Sequence, residues 1–537
     1  MGKLVLTNGK IYVERGVFAQ AVCAEGGVIR CVGSNEEVLR VAGGGAEVFD
    51  CEGRTVIPGL NDAHCHIFTV GLNMAQLQLS GARSLHEIIE RGRRFLAEHP
   101  DAGKRGIEGG GWNEDLFTEG ERRFPDRHDL DQISSEVPIV VRRVCEHIFS
   151  VNTRAIEIMG LTKDSPQFED GLFEREEDGT PSGVFKENLA RARSVLPPYT
   201  AKEYGDLYAR AAAYAVSRGI TSLQSNDVGL LPLTPDEVFR LINDVHAQGR
   251  AALRHRQQTT FYKVEDFREY LAGTYARRGD FHPHVEAGPL KLFKDGSLGG
   301  RSAALRQAYH DDPGNFGVEA LSDADMDVFC RAAKEAGVQV VTHAIGDRAV
   351  AGVVGCYARA DAQNRLRNVI NHCQITDRPL LEDIARNHIC VCYQPIFLDY
   401  DIHMAEARCG HELASTSYAF GTLSRMGVPI GYSTDSPVED CNPFPNIYSA
   451  VTRMDKEGWP EGGWFPEERV DVAAAIDAYT TGSAYLEFHE GDKGRIQPGF
   501  AADMTVLDED IFTCSPRAIR DILPVMTVIA GEVAYQR

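Results

Sequence analysis

The sequence predicts an α/β fold, a closed (β/α)8 barrel with a small β-sandwich formed by both chain termini and an insertion after the first barrel strand. Three observations predict it. From about residue 205 the chain alternates helical stretches with short apolar strands, the rhythm of repeated βα units. Short β-type runs separated by turns occupy both ends of the chain. Histidines, a lysine and an aspartate stand within or at the ends of five predicted strands, and the strand ends are where such a barrel builds its active site.

At the N-terminus the runs lie at 4–6, 11–13, 20–23 and 28–32, with Asn8-Gly9 and Gly26-Gly27 as turns. A matching set returns at 504–507, 525–529 and 533–535, so residues 1–57 and 490–537 are read as one sandwich. Residues 58–489 are read as the barrel. Its first strand ends at His66, and the other seven are expected at 220–223, 251–254, 290–293, 338–343, 369–372, 389–393 and 429–433. The insertion, about 75–205, carries Gly109-Gly110-Gly111-Trp112, amphipathic patches at 85–97 and 201–217, and an acidic stretch at 169–178. It is read as a lid or side domain.

With 537 residues the chain exceeds one simple core, and 43% hydrophobic with 25% charged residues is ordinary for a globular protein. A formal net charge of −22 argues against nucleic acid or an anionic membrane as partner. The 13 cysteines are scattered, with no Cys-x-x-Cys pair, which predicts reduced thiols rather than a disulfide framework. No signal peptide and no membrane-length apolar run is found, so a cytoplasmic protein with a small-molecule substrate is expected. Nothing in the sequence excludes a homo-oligomer.

The chemistry starts at Pro58-Gly59-Leu60-Asn61-Asp62-Ala63-His64-Cys65-His66. Residues i and i+2 of a strand share a face, so His64 and His66 project together while Cys65 faces away. His-x-His alone also fits two ordinary strand histidines; the partners decide. His343 ends the fifth strand, His372 the sixth about one βα unit later, and Asp435 follows the eighth. Lys291 lies in the fourth strand, while the seventh offers Gln394-Pro395 and no obvious ligand. Two imidazole pairs and a carboxylate suit Zn²⁺ or a similar divalent ion. A protonated lysine cannot be a ligand, but a carbamate formed on Lys291 by CO₂ is an anionic oxygen donor able to bridge two ions. Such an ion lowers the pKa of bound water toward ~7. Asp435 is then placed to accept that proton and pass it to a leaving nitrogen. The bland alternatives are a salt bridge for Lys291 and a helix cap near Pro437 for Asp435.

Several stretches together resemble the amidohydrolase superfamily, particularly amidohydrolase family 3, which includes N-substituted formamide deformylase. They are the His64/His66 segment, Lys291-Leu292-Phe293-Lys294-Asp295-Gly296-Ser297-Leu298-Gly299, His343-Ala344-Ile345-Gly346-Asp347-Arg348-Ala349, Asn371-His372-Cys373-Gln374 and Ser433-Thr434-Asp435-Ser436-Pro437-Val438. Gly183-Val184-Phe185-Lys186-Glu187 and the tail from Gly494 to Asp503 look similar too. The resemblance implies a TIM-like metal-bearing barrel with a small sandwich. It also implies His64, His66, Lys291, His343, His372 and Asp435 as the metal set, holding one or two divalent ions, with zinc expected. Two departures stand out. Asn61 replaces a commonly apolar residue, and Lys294 adds a second lysine that strand alternation places on the opposite face from Lys291. Trp112, His147 (by family analogy) and Arg301 are candidate substrate contacts, against packing for Trp112 and an ion pair for Arg301. The expected activity is hydrolysis of an amide or N-acyl C–N bond; the rivals are an esterase or other C–N hydrolase on the same site, and a catalytically silent binding or regulatory barrel.

Overall fold

The computed structural model describes residues 2–100, 102–145, 147–168, 171–187 and 189–537; Glu169 and Asp170 of the acidic stretch lie outside the described residues. The chain separates into two compact units, Met1–Gly71 with Gly205–Arg537, and Leu72–Tyr204.

Eight parallel strands organise the first unit: β1 (Leu60–Cys65), β2 (Ile220–Val228), β3 (Arg254–Thr260), β4 (Val285–Phe293), β5 (Val340–Ala344), β6 (Val369–His372), β7 (Cys390–Tyr393) and β8 (Ile430–Tyr432). Each pairs with the next in sequence order. The two outer strands meet just past their ends. There the Asp435 N–H donates to the His64 carbonyl at 3.0 Å, and the His66 N–H donates to the Ser436 carbonyl at 2.7 Å. The sheet is thereby a near-barrel. Ala63, Val341, Val369, Cys390, Cys392 and Leu486 form an apolar cluster among its strands.

Helices follow the strands for local reasons. Pro235–Ala247, after β2, opens with Thr234 and Glu237 in a capping box and proline in its first turn. It buries Val238, Phe239, Ile242 and Val245, the spacing of one helical face. Asp323–Ala336, after β4, starts at the Ser322 cap and stops at Gly337, whose φ of 68° is the left-handed turn glycine adopts without strain. Asp347–Ala360 and Arg378–Arg386 follow β5 and β6. Among the described residues no helix is long and apolar enough to cross a membrane.

Two strand expectations are corrected. The third strand is Arg254–Thr260 rather than 251–254, and the second runs on to Val228. Their C-terminal halves are polar, Gln257-Gln258-Thr259-Thr260 and Gln224-Ser225-Asn226-Asp227, yet buried. Apolar runs mark strands buried in a hydrocarbon-like core, whereas these halves pack in a hydrogen-bonded interior.

The terminal segments form two further sheets. One holds Lys3–Thr7, Ala21–Glu25, Val28–Gly33 and Glu47–Asp50; the other holds Lys10–Glu14, Val17–Ala19, Thr55–Pro58, Met504–Leu507, Pro524–Ile529 and Glu532–Gln536. Residues of both share one apolar cluster, including Leu4, Leu6, Val22, Val56, Val506 and Val528.

The second unit is built on a six-stranded sheet ordered Leu172–Arg175, Pro181–Lys186, Ile148–Val151, Ile139–Arg143, Ile107–Trp112, Leu77–Gln78. Helix Leu85–Glu98, capped by Ser84, buries Ile88 and Ile89 against its core.

Candidate metal centre

The rim where β1, β5, β6 and β8 end collects four imidazoles and one carboxylate. His64 and His66 both face Asp435, with Nε2 to Oδ1 distances of 3.3 and 3.2 Å. The ligand atoms of His64, His372 and Asp435 all lie within 4.8 Å of one another. His343 joins them through His372, with ring centroids 4.5 Å apart.

Each ring is held from behind by an oxygen, so an N–H must point at it. His64 donates from Nδ1 to Gln258 Oε1 at 3.0 Å, His66 from Nδ1 to the Asn226 carbonyl at 2.7 Å, and His372 from Nδ1 to Gln394 Oε1 at 2.7 Å. Those three present Nε2 on the opposite side of the ring. His343 is reversed, with Nε2 donating to the Gly296 carbonyl at 3.1 Å and 3.5 Å from Asp295 Oδ1, which leaves Nδ1 as its lone pair. Asp295 is itself fixed by the N–H groups of Ala304, Ile345 and Gly346. Asp62 ties β1 to β8 by accepting from the His64 N–H at 3.2 Å and from Thr434 Oγ1 at 2.5 Å.

Burial, reinforced by the Lys291 charge, pushes His64 and His343 down to about 4, and burial with the neighbouring His343 lowers His372 well below the usual imidazole range. These rings are neutral at pH 7. Burial acts the same way on His66, but its hydrogen bond and attraction to Asp435 prevail and raise it. For Asp435 burial works upward, and its close contacts with the His64 and His66 rings outweigh it, holding the carboxyl well below its ordinary range. Asp435 is therefore ionised.

Backbone strain gathers at the same place. His372, Cys373 and Asp435 have φ of 75°, 46° and 56°, a region that side-chain-bearing residues avoid. Such residues cost about 1–3 kcal/mol each and persist where the surroundings impose them. Here the Cys373 N–H is tied to the Ala344 carbonyl and the Asp435 N–H to that of His64.

Lys291, on β4, is fully buried, and burial pushes its amine down to about 8. Its Nζ has no hydrogen-bond partner among the described residues and lies 4.0 Å from the Phe293 ring centroid. Lys294 differs sharply. Its amine is bonded to the Leu321 carbonyl, to Asp323 at 2.6 Å and to Glu319 at 2.5 Å. Asp435 caps no helix, since the next one, Pro443–Thr452, is capped by Asn442.

The other sequence candidates sit as follows. Arg301, in the loop after β4, donates to Asp311 from Nε at 3.2 Å and Nη2 at 2.9 Å. Trp112 is fully buried in the core of the second unit, beside Phe124. His147, also in that unit, is exposed, with Nδ1 3.0 Å from Glu187 Oε2. The metal-centre convergence involves the first unit alone. Gln258, Gln394 and Asp295 were missed by sequence reasoning, which sought ligands and not the residues that orient them.

Four imidazoles, an ionised carboxylate and a buried amine without a hydrogen-bond partner fit a divalent ion of the zinc type. The chain is 29% identical over 544 residues to "Putative amidohydrolase YtcJ" of Bacillus subtilis (strain 168), covering 100% of both chains. It is 23% identical over 566 residues to the N-substituted formamide deformylase of Arthrobacter pascens, covering 100% of this chain and 99% of that one. Among solved structures, an uncharacterized metal-dependent hydrolase from Pyrococcus furiosus superposes with a TM-score of 0.76 at 27% identity, over 95% of this chain and 100% of that chain. The amidohydrolase family profile matches residues 47–535, and this chain belongs to that metal-dependent family.

Proposed function

We propose that the protein hydrolyses the C–N bond of an amide or N-acyl compound. The observation that carries the proposal is the meeting of Asp435 with four tautomer-locked histidines beside the unpartnered Lys291 amine. His64, His66, His343, His372 and Asp435 would hold one or two divalent ions, zinc foremost. Lys291 joins them as a carbamate, Nζ adding to CO₂ with loss of a proton. When bound, such an ion acidifies water and polarises a carbonyl.

The chain's own residues supply the rest. Gln258, Gln394, the Asn226 carbonyl and the Gly296 carbonyl keep each imidazole N–H turned away from the centre. Asp435, ionised and buried, takes a proton from the attacking water at a carboxylate oxygen and delivers it to the departing nitrogen. The terminal sheets serve as one sandwich, residues 1–57 and 490–537, beside a barrel domain of 58–489 with the insertion at about 75–205.

The test combines metal analysis of the freshly purified chain with a screen of N-acyl amines, cyclic amides and esters. About one or more equivalents of divalent ion and release of amine are expected. Less than about one equivalent, with no turnover after reconstitution, would favour a silent barrel. Ester cleavage without amide cleavage would move the activity to an esterase.

A further inference from the structure

Two of the scattered cysteines meet in the terminal sheets. Strands Ala21–Glu25 and Val28–Gly33 run antiparallel, and Cys23 stands directly opposite Cys31. Strict alternation would put Ile29 and Cys31 on one face of their strand. The register slips instead: Cys23 pairs with Cys31 but Ala24 pairs with Ile29, so Arg30 is the extra residue of a bulge. Ile29 accordingly packs with Val22 and Ala24 in the cluster shared by both terminal sheets. Cys31 turns to the other face, where Cys23 lies with Val5, Ala21, Val38 and Ala42 beside the helix Asn35–Ala42. There the two thiols are in hydrogen-bond contact.

The spacing suits a bond. Disulfide-linked residues have Cα atoms about 4.4–6.8 Å apart, and facing residues of an antiparallel pair lie about 4.5 or 5.5 Å apart. Exposure divides the pair, with Cys23 fully buried and Cys31 half-buried. Burial pushes both sulfurs above their ordinary range, so both rest as protonated thiols at pH 7.

We propose that Cys23 and Cys31 form a site of reversible oxidation, closing to a disulfide when hydrogen peroxide reaches Cys31. The peroxide gives one oxygen to the Cys31 sulfur, leaving a sulfenic acid and one water. The Cys23 sulfur then loses its proton and displaces the Cys31 hydroxyl, which departs as a second water. The pair of thiols is thereby oxidised by two electrons, and the peroxide is reduced to water. Cys23 needs no access to solvent, because its partner brings the oxidised sulfur to it. A dithiol reductant reverses the bond by exchange. No residue of the metal centre takes part, so the site is independent of the hydrolase reading.

The experiment treats the full chain with hydrogen peroxide, blocks remaining thiols with N-ethylmaleimide in denaturant, and digests with trypsin. Cleavage after Arg15, Arg30 and Arg40 places the two cysteines on separate peptides, 16–30 and 31–40. Mass spectrometry is expected to find these peptides joined, with two hydrogens lost, in most chains whose Cys31 thiol has gone. The rate should not depend on protein concentration, and dithiothreitol should part the peptides again. Cys23→Ala, which keeps an apolar side chain in the cluster, should abolish the link and leave Cys31 as a sulfenic acid trapped by dimedone. Because the link is read on the wild type, a poorly folded variant does not decide the matter. Cys31 passing to sulfinic acid unlinked, or remaining a thiol while the half-buried Cys514 is oxidised, overturns the proposal. So does linking whose rate rises with protein concentration, the mark of chains joined to one another.

Discussion

Gln394 shows how much a centre of this kind depends on residues that touch no ion. Its Oε1 accepts the His372 Nδ1–H at 2.7 Å, and its Nε2 donates to Ser433 Oγ at 2.7 Å, so the amide is fixed at both ends. A leucine there would leave a buried imidazole free to choose its tautomer. Gln394→Leu is expected to weaken zinc retention by about 10–100-fold, read by competition with a chromophoric chelator, with the fold kept. Asp435→Asn separates two duties. The amide cannot accept a proton from water, so turnover should fall to background while zinc stays largely bound; wild-type rates would remove Asp435 as the proton carrier. Lys291→Ala, together with reconstitution at raised CO₂, examines the carbamate. Metal loading that ignores CO₂ and a fully active alanine variant would reject it.

At the scale of elements, the strands that were easiest to place are those with apolar interiors. β6 was expected at 369–372 and is Val369–His372, because Val369 and Ile370 are both buried in the ordinary way. β3 was misplaced because Gln257 and Gln258, adjacent and both buried, look like loop. The six metal candidates could be proposed from strand-end positions and the family resemblance. Their orienting partners could not, since glutamine and a backbone carbonyl carry no sequence signature for the task. Nor could the left-handed φ of His372 and Asp435, which no residue type there betrays. Gly346 begins the helix Asp347–Ala360 three residues after His343, and a Cβ on it would stand 2.1 Å from the Ala304 carbonyl oxygen. Its φ of −74° is unexceptional, so space alone requires glycine. Gly346→Ala should therefore cost about 1–3 kcal/mol through forced backbone movement, measured by urea unfolding. It should also loosen His343, because the Gly346 N–H holds Asp295 at 2.8 Å.

For the whole molecule, acid stability is set in part by histidines far from any catalytic duty. His246 and His255 are buried beside Tyr208, whose hydroxyl lies 2.9 Å from His246 Nε2 and 3.1 Å from His255 Nδ1. Burial, reinforced by neighbouring histidines, lowers His246 to about 3, and burial lowers His255 to about 4 despite its bond to Gln257. In the unfolded chain each would titrate near ~6.5. Between ~6.5 and the folded values the unfolded state binds protons that the native state refuses, so stability must fall as pH falls through that window. Above ~7 neither state is protonated at these positions, and their contribution is constant. The contribution of these two rings to the unfolding midpoint in urea is thus expected to be flat from pH 8 to 7 and to decline from about 6.5 toward 4. His246→Gln is expected to flatten part of that slope. A slope unchanged by His246→Gln would mean that this ring is protonated in the native fold, contrary to its burial.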